Sequence, residues 1–388
     1  MPPSVSTGLD QCVANQFAFF KGQKVAVLIN QASCDHQFRH LVDLIQSIPT
    51  VKLVRIFGPE HGFAGTAQDL ESVTSGLQSQ PRWDVPIISL YGDPEASLTP
   101  APGLLDDIDT LIIDLPDIGS RYYTFAATLI RIMRASNGKS LKIVVLDRPN
   151  PLGGMTVEGP ILKPGFESFV GEIPIPIRHG MTLGEIGGWL VKTEKLDLSY
   201  HCISVLGWSR KMLYPQTGLP WVIPSPNMPT FETALVYPGG CLIEGTNISE
   251  GRGTTRPFEL FGAPWLNETQ LAHNLNHSGL TGFIARPALF KPAFQKHSGK
   301  VCAGVQIHVT DPLEFQPVRV YTQALIAMRN QNPEKFQWRT ETYEFRDLPI
   351  AIDLLYGSDS ERQMIESGAS WQDIASTWVD GEIAFPQA

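Results

Sequence analysis

The sequence predicts an α/β protein with a Rossmann-like, doubly wound and mostly parallel sheet, followed by a second, smaller α/β domain. In the first 150 residues, short apolar runs alternate with segments of helical spacing. These runs are continuous and rich in Val and Ile, which is typical of parallel strands covered on both faces. After residue 155, Pro and Gly become frequent and polar loops lengthen. We therefore expect a Rossmann-like domain over residues 1–155 and a second domain over residues 156–388 that completes a cleft.

The elements of the first domain follow from local patterns. Strands are predicted at residues 24–30, 52–57, 85–90, 110–115 and 141–146, and helices at residues 38–48 and 125–135. The first strand is followed by Asn30-Gln31-Ala32-Ser33 and not by a glycine-rich turn, so we do not expect NAD binding.

The second domain has weaker signals. Strands are predicted at residues 203–206, 283–286 and 305–309, and helices from residue 183 onward and at residues 318–329. Thr182 and Glu185 fit a capping box for the helix that starts at residue 183. The last forty residues read as amphipathic helices, with Trp371 and Trp378 packing inward.

Composition excludes several classes of protein. The formal net charge of -9, without a dense basic run, disfavours a nucleic-acid partner. No apolar stretch reaches the roughly 20 residues that span a bilayer, and residues 1–15 do not resemble a signal peptide, so we expect a cytoplasmic protein. The five cysteines are scattered without a CxxC, which favours free thiols. Without HExxH or closely spaced histidines, we expect no metal.

Polar side chains follow several strands at the point where each strand ends. Asn30 follows the first strand, Asp114 and Asp117 the fourth, and Arg148 and Asn150 the fifth. In open α/β sheets, ligands bind beyond the carboxyl ends of the strands. Each residue alone has a structural alternative, such as capping a helix or forming an ion pair, but the whole set favours a binding site at this edge.

Glu60 is the best candidate for proton transfer. It follows the second strand in Pro59-Glu60-His61-Gly62-Phe63, which predicts a tight turn at the strand end. A carboxyl group partly buried there is suited to general acid–base catalysis. The alternative is a loop carboxylate paired with His61.

A second feature opens the helix after the fourth strand, where the sequence reads Arg121-Tyr122-Tyr123-Thr124. A phenol near an arginine at a helix N-terminus can hydrogen-bond a sugar or stabilise a developing charge. Packing of both aromatic rings in the core is the alternative.

Two polar loops of the second domain complete the candidate set. The loop over residues 225–230 contains Asn227, and the loop over residues 244–256 contains two carboxylates and two guanidinium groups. The candidates in the second loop are Glu244, Asn247, Glu250, Arg252 and Arg256. The two arginines can converge on one anion, and internal ion pairs are the alternative. His179, just before the helix from residue 183, is a further candidate for the cleft.

Seven motifs resemble those of a known family. They are PEHGF (59–63), DRPNPLGG (147–154), VEGP (157–160), RHGMT (178–182), GLPW (218–221), SPNMPT (225–230) and EGTNISEGRGTTRPFE (244–259). Together they resemble the exo-β-N-acetylmuramidases of the NamZ family, formerly the domain family DUF1343, from about residue 8 to the C-terminus.

The resemblance implies a glycosidase that releases N-acetylmuramic acid from the non-reducing end of a peptidoglycan-derived muropeptide or disaccharide. It implies no metal and no cofactor. The family's proposed glutamate–tyrosine pair corresponds to Glu60 and Tyr123. Where the family usually reads RFYTY, this chain has RYYTF, so Tyr122 is an alternative phenol. Many relatives carry an export signal, which makes a periplasmic or secreted location the alternative to a cytoplasmic one.

The lactyl carboxylate of this sugar calls for a cation, with Arg148, Arg178, Arg252 and Arg256 as candidates. Glu244 and Glu250 are alternative second carboxylates. Two competing hypotheses are a non-catalytic sugar-binding protein on the same fold and a phosphate-ester hydrolase that uses the glycine-rich loop around Arg252.

Overall fold

The computed structural model of the chain describes residues 5–68, 71, 78–80 and 83–385. Its larger sheet has seven strands within these residues. They are β1 (Lys24–Ile29), β2 (Lys52–Gly58), β3 (Gln78–Gln80), β4 (Trp83–Ser89), β5 (Thr110–Asp114), β6 (Lys142–Leu146) and β7 (Ser199–Ile203). The spatial order is β3-β4-β2-β1-β5-β6-β7. All neighbours pair in parallel except β3, which is antiparallel to β4.

The winding of the sheet fixes the position of a ligand site. The chain moves outward from β1 through β2 to β4, returns to β5 on the other side of β1, and continues outward to β7. The topological switch point therefore lies between β1 and β5. All five residues of β5 are buried, as a strand covered on both faces requires. The predicted doubly wound, mostly parallel sheet is confirmed.

Helices cover this sheet. They are α1 (Gly8–Ala14), α2 (Leu41–Gln46), α3 (Phe125–Ala135) and α4 (Leu183–Glu194), with short 3-10 helices at Ala18–Phe20 and Glu95–Leu98. The predicted capping box is present, since the Thr182 side chain accepts a hydrogen bond from the Glu185 backbone and the Glu185 side chain accepts one from the Thr182 backbone. The helix predicted from residue 38 begins at Leu41, because Phe38 lies in a loop with a left-handed backbone (φ 61°).

The rest of the chain builds a smaller antiparallel sheet and further helices. The strands are β8 (Leu260–Ala263), β9 (Phe283–Phe290) and β10 (Cys302–Val309), in the order β8-β10-β9. The helices are α5 (Tyr214–Thr217), α6 (Phe231–Gly240), α7 (Glu268–Asn276), α8 (Pro317–Gln331), α9 (Ala351–Tyr356), α10 (Ser360–Glu366), α11 (Trp371–Ser376) and α12 (Val379–Ala384), with a 3-10 helix at Cys241–Gly245. The second, smaller sheet is as predicted.

A single apolar cluster joins the two sheets. It includes Leu111 of β5, Phe261 of β8 and Leu325 of α8, all fully buried. The two predicted tryptophans pack as expected. Trp378 is buried near Tyr356, and the partly buried Trp371 donates a hydrogen bond to the Ser278 carbonyl. The smaller sheet is therefore held against the larger one by shared core packing.

One predicted strand is wrong. The prediction at residues 203–206 marks the end of β7, which runs over Ser199–Ile203. β7 is an edge strand of mixed exposure, so it lacks the apolar run that marks the central strands. Leu206 forms an isolated bridge with Ser6 instead. β7 belongs to the larger sheet although it follows residue 155 in the chain. The domain boundary predicted at residue 155 stays a prediction.

Two further properties concern the described part of the chain. None of its helices is both long and apolar enough to cross a membrane. All five cysteines are free thiols, and among the residues described no group of three or more His, Cys, Asp or Glu side chains is placed to hold a metal ion.

Candidate active site

A partly open cavity lies at the carboxyl edge of the larger sheet, between the loop after β2, the start of α3 and loops of the second half of the chain. It contains about 450 Å³ of space that atoms do not fill. Its walls consist of Glu60, His61, Tyr122, Tyr123, Thr124, Val170, Ser225, Asn227, Met228, Tyr237, Cys241, Glu244, Arg252, Phe258, Tyr343 and Glu344. Every one of these side chains is buried. The cavity is therefore polar, ionisable and largely shielded from water.

The turn after β2 places Glu60 in this cavity. His61 (φ 68°) and Gly62 (φ 74°) both adopt the left-handed conformation, which reverses the chain directly after the strand. Glu60 is only 4% exposed. The hydroxyl of Thr124, at the N-terminus of α3, donates a 2.5 Å hydrogen bond to Oε2 of Glu60. His61 Nδ1 lies 2.9 Å from the Ala67 carbonyl oxygen, so this imidazole is held by the loop backbone.

The two adjacent tyrosines have different surroundings. The Tyr122 hydroxyl donates a short hydrogen bond to the Pro238 carbonyl. The Tyr123 hydroxyl is buried and makes no hydrogen bond of normal geometry within the described chain. The Ser225 side chain lies near it and acts to lower its pKa. Burial raises the pKa of Tyr123, which keeps the phenol protonated at neutral pH. Tyr122 thus ties α3 to α6, whereas Tyr123 presents a hydroxyl to the cavity.

An arginine held by two carboxylates forms another wall. Arg252 Nη2 donates a 2.6 Å hydrogen bond to Oε1 of Glu244, and Arg252 Nε lies 3.5 Å from Oε1 of Glu250. The Tyr343 hydroxyl donates to the other oxygen of Glu244 at 2.9 Å. Lys296 is 2.9 Å from Oε2 of Glu250 and lies outside the cavity lining. This network fixes one guanidinium group against the cavity.

Sequence reasoning missed one carboxylate of the cavity, which lies there together with Glu60 and Glu244. Glu344 is 6% exposed, and it is the first of two successive left-handed residues, with φ 47° followed by φ 66° at Phe345. Oε2 of Glu344 lies 3.3 Å from the Tyr91 hydroxyl. Burial, followed by the charges of Glu60 and Glu344, raises the pKa of Tyr91. Tyr91 therefore interacts with Glu60 and with Glu344. The segment around Glu344 has no motif that could have revealed it.

Asp117 and His179 form a buried pair that does not line the cavity. Asp117 Oδ2 accepts a 2.7 Å hydrogen bond from the Gly119 amide and lies 3.7 Å from Nε2 of His179. The Met181 amide donates to Nδ1 of His179 at 3.1 Å, which leaves the proton on Nε2. Burial raises the pKa of Asp117 to about 7 and lowers the pKa of His179 to about 3. The imidazole is therefore neutral beside a carboxyl group that titrates near neutral pH.

Arg121 lies outside the cavity lining, in a backbone cage. Its Nη1 and Nη2 atoms donate four hydrogen bonds of 2.7–2.8 Å. The acceptors are the carbonyl oxygens of Pro160, Ile175, Leu355 and Tyr356. This guanidinium joins the loops after β6 to α9.

Other predicted site residues brace the loops around the cavity. Arg148 forms a bidentate pair with Asp114, at 2.5 and 2.8 Å. Asn150 Nδ2 donates to the Met181 carbonyl. Asn30 Nδ2 donates to the carbonyl of Pro224, next to the cavity residue Ser225. Polar residues at the strand ends therefore hold loops in position here.

The remaining candidates divide between the cavity and the surface. Asn227 lines the cavity, and its Nδ2 donates to Oε1 of Gln68 at 2.9 Å. Asn247 Nδ2 donates to the Lys335 carbonyl in a separate groove. Arg256 is near Glu259 (3.5 Å), and its side chain is 44% exposed. Of the predicted set, the cavity brings together Glu60, His61, Tyr123, Asn227, Glu244 and Arg252.

Comparison with known proteins identifies the family. The N-terminal model of the exo-β-N-acetylmuramidase NamZ matches residues 25–232, and its C-terminal model matches residues 235–388. The chain belongs to the NamZ family. A relative within this family, peptidoglycan β-N-acetylmuramidase NamZ of Bacillus subtilis (strain 168), is 40% identical over 376 residues. That match covers 97% of this chain and 88% of the relative.

Two solved structures share the NamZ-family fold. Both are crystal structures of DUF1343 family proteins from Bacteroides fragilis NCTC 9343. One has a TM-score of 0.89 at 30% identity and the other a TM-score of 0.73 at 29% identity. In each case the match covers 98% of this chain and 96% of the solved chain. The resemblance drawn from the seven sequence motifs and the predicted fold are therefore confirmed.

Proposed function

We propose that this chain is an exo-β-N-acetylmuramidase, a glycosidase that releases N-acetylmuramic acid from the non-reducing end of peptidoglycan fragments. The observation that carries the proposal, within this family, is the cavity that combines the Glu60 carboxyl group, the Tyr123 hydroxyl and the Arg252 guanidinium. A protein that only binds a sugar breaks no bond, so it needs no carboxyl group for proton transfer.

The shape of the cavity supports exo-action. The cavity is small and only partly open, and its lining side chains are buried. A terminal sugar can enter such a cavity, whereas an internal sugar would need openings for the chain at both ends. The cleaved bond therefore joins the terminal sugar to the rest of the glycan.

Glu60 is suited to acid–base catalysis. One of its oxygens accepts the Thr124 hydrogen bond, which orients the carboxyl group in the cavity. In the proposed reaction, protonated Glu60 donates its proton to the glycosidic oxygen as the bond to the anomeric carbon breaks. Water then adds to the anomeric carbon and its proton returns to the protein, so that the leaving sugar and N-acetylmuramic acid are released.

Tyr123 and Glu344 act on the positive charge that develops on the sugar ring. Because the pKa of Tyr123 is raised, the neutral phenol suits charge stabilisation through its oxygen better than attack as a phenolate. Glu344 is a further carboxylate of the cavity, suited to stabilise an oxocarbenium-like transition state or to accept the proton of the attacking water. Glu244 and Glu250 suit that role less well because both are paired with Arg252.

Arg252 is suited to recognise the lactyl carboxylate. Of the four arginines considered from the sequence, it is the one that lines the cavity. Glu244 and Glu250 hold its guanidinium in one orientation, and a planar guanidinium can bind a carboxylate through two parallel hydrogen bonds. Asn227 and His61 supply polar contacts for the rest of the sugar.

Release of 4-nitrophenol from 4-nitrophenyl β-N-acetylmuraminide tests the proposal. We expect release by the wild type. Glu60→Gln keeps the size of the side chain, and we expect it not to cleave the disaccharide of N-acetylmuramic acid β-linked to N-acetylglucosamine, because the oxygen of a sugar leaving group must be protonated. Binding without release by the wild type would support the sugar-binding hypothesis instead. Full activity of a folded Glu60→Gln variant would refute the acid–base assignment.

The corresponding β-N-acetylglucosaminide tests recognition of the lactyl group. It lacks the carboxylate, so we expect a much lower kcat/KM, and we expect Arg252→Met to reduce kcat/KM for the muraminide selectively. Equal rates on the two substrates would remove the role proposed for Arg252.

A further inference from the structure

We propose that a groove beside the Glu60 turn binds the leaving-group sugar, the neutral N-acetylglucosamine that follows N-acetylmuramic acid in peptidoglycan. This inference rests on the proposed function. The groove, here called the aromatic groove, is lined by Gln31, Phe38, His40, Phe63 and Trp83, together with two smaller side chains, and contains about 820 Å³.

The floor of the aromatic groove is a fixed aromatic surface. His40 stacks on Trp83 with ring centroids 4.9 Å apart, and Phe63 meets Trp83 edge-on at 5.9 Å. The Trp83 indole donates a 2.8 Å hydrogen bond to Asp43, which fixes the orientation of its ring. Aromatic faces of this kind pack well against the C–H faces of a pyranose ring.

Phe38 adds an exposed aromatic side chain to the groove. It is 65% exposed and has a left-handed backbone (φ 61°), an unfavourable conformation for a bulky residue. The surrounding loop is rigid, since Asp35 accepts hydrogen bonds from the amides of Gln37 and Arg39 and pairs with the Arg39 guanidinium at 2.6 Å. A braced loop that holds an apolar ring in water indicates a ligand-binding surface.

Two short chain segments connect the aromatic groove with the catalytic cavity. Glu60 lines the cavity and Phe63, in the same turn, lines the groove. Gln31 of the groove donates through Nε2 to the Ile223 carbonyl at 2.8 Å, two residues before the cavity residue Ser225. A leaving group whose oxygen is protonated by Glu60 therefore emerges beside the groove.

The chemistry of the groove selects a neutral sugar. None of its described lining residues is Asp, Glu, Lys or Arg, so a charged peptide stem finds no ionic partner there. The Gln31 amide is held by the Ile223 carbonyl at the margin of the groove. Aromatic rings without a charged neighbour in the lining match the neutral ring of N-acetylglucosamine.

Calorimetric titration of the Glu60→Gln protein tests this inference. The two ligands are free N-acetylmuramic acid and the disaccharide in which it is β-linked to N-acetylglucosamine. We expect Phe38→Ala, added to Glu60→Gln, to weaken disaccharide binding about tenfold while the affinity for free N-acetylmuramic acid is retained. Phe63→Ala provides a second variant with the same expected pattern.

Phe19→Ala is the matched control. Phe19 is 47% exposed and precedes β1, so it lies at the amino ends of the strands, opposite to the carboxyl ends where the groove lies. It should leave both affinities unchanged. Unchanged disaccharide affinity in both groove variants would overturn the inference. A loss of disaccharide affinity in Trp338→Ala but not in Phe38→Ala would also overturn it, because Trp338 lines a separate groove beyond Glu244. If neither ligand binds Glu60→Gln and the wild type cleaves nothing, the proposed function itself fails.

Discussion

Substitution of Arg121 distinguishes most clearly between a role in substrate binding and a role in stabilising the fold. The sequence suggests a contact with substrate, but its guanidinium donates four hydrogen bonds to buried carbonyl oxygens. Burial lowers its pKa to about 10, so the group stays charged at neutral pH. The informative change is Arg121→Met, which keeps an unbranched side chain and removes all the donors.

The size of the effect follows from the acceptors. Each buried carbonyl left without a donor costs about 1–3 kcal/mol, and water entering the vacated space favours the low end of that range. At about 1 kcal/mol for each of the four acceptors, Arg121→Met should lower the free energy of unfolding by about 4 kcal/mol. The folded variant should retain most of its kcat/KM, because Arg121 does not line the cavity.

Urea denaturation followed by fluorescence, together with the nitrophenol assay at low temperature, measures both quantities. Arg329→Met is the matched control, because Arg329 makes one long hydrogen bond of 3.5 Å to the Glu366 carbonyl. It should leave the urea midpoint almost unchanged. An Arg121→Met protein of wild-type stability that has lost activity would refute the structural role and return Arg121 to the substrate.

Three further predictions concern the cavity and its surroundings. Tyr123→Phe should reduce kcat by about 100-fold or more with little change in stability. Tyr122→Phe loses the hydrogen bond to Pro238, so it should lower stability and keep activity. The reverse pattern in the two assays would exchange the roles of the two tyrosines. Glu344→Gln should lower kcat more than it changes KM, and an unaltered kcat would exclude Glu344 from proton transfer and charge stabilisation. Burial raises the pKa of Asp117 to about 7, whereas the pKa in the unfolded chain is near 4. The protonated carboxyl group therefore contributes fully to the free energy of unfolding below about pH 4, and this contribution is lost as the pH rises through about 7. Asp117→Asn should abolish that decline, and parallel urea midpoints for the two proteins between pH 4 and pH 8 would contradict the shift.

Much of the fold follows from local sequence. Strands such as β1 and β5 are continuous apolar runs because both of their faces are covered, and that pattern is visible without any partner. The capping box at Thr182 is also local, since all its atoms lie within four residues. β7 was misplaced because a strand at a sheet edge is only partly buried and lacks such a run.

The candidate site shows the limits of local reasoning. The rule that ligands lie beyond the carboxyl ends of parallel strands correctly directs attention to the turn that contains Glu60. It gives the same weight to Arg148 and Asn150, whose side chains brace loops. Residue type and strand position cannot distinguish these outcomes, because both require polar groups at the same edge.

The sequence by itself determined the family, the parallel sheet and Glu60 as the main candidate, since motifs and apolar runs are properties of contiguous residues. Only the tertiary structure decided that the Tyr122 hydroxyl is bonded to Pro238, that Arg121 binds backbone carbonyls, and that Glu344 lies with Glu60 although the two are 284 positions apart in the chain. Hydrogen-bond partners and burial arise when distant segments pack together, and both determine whether a polar side chain meets substrate or protein.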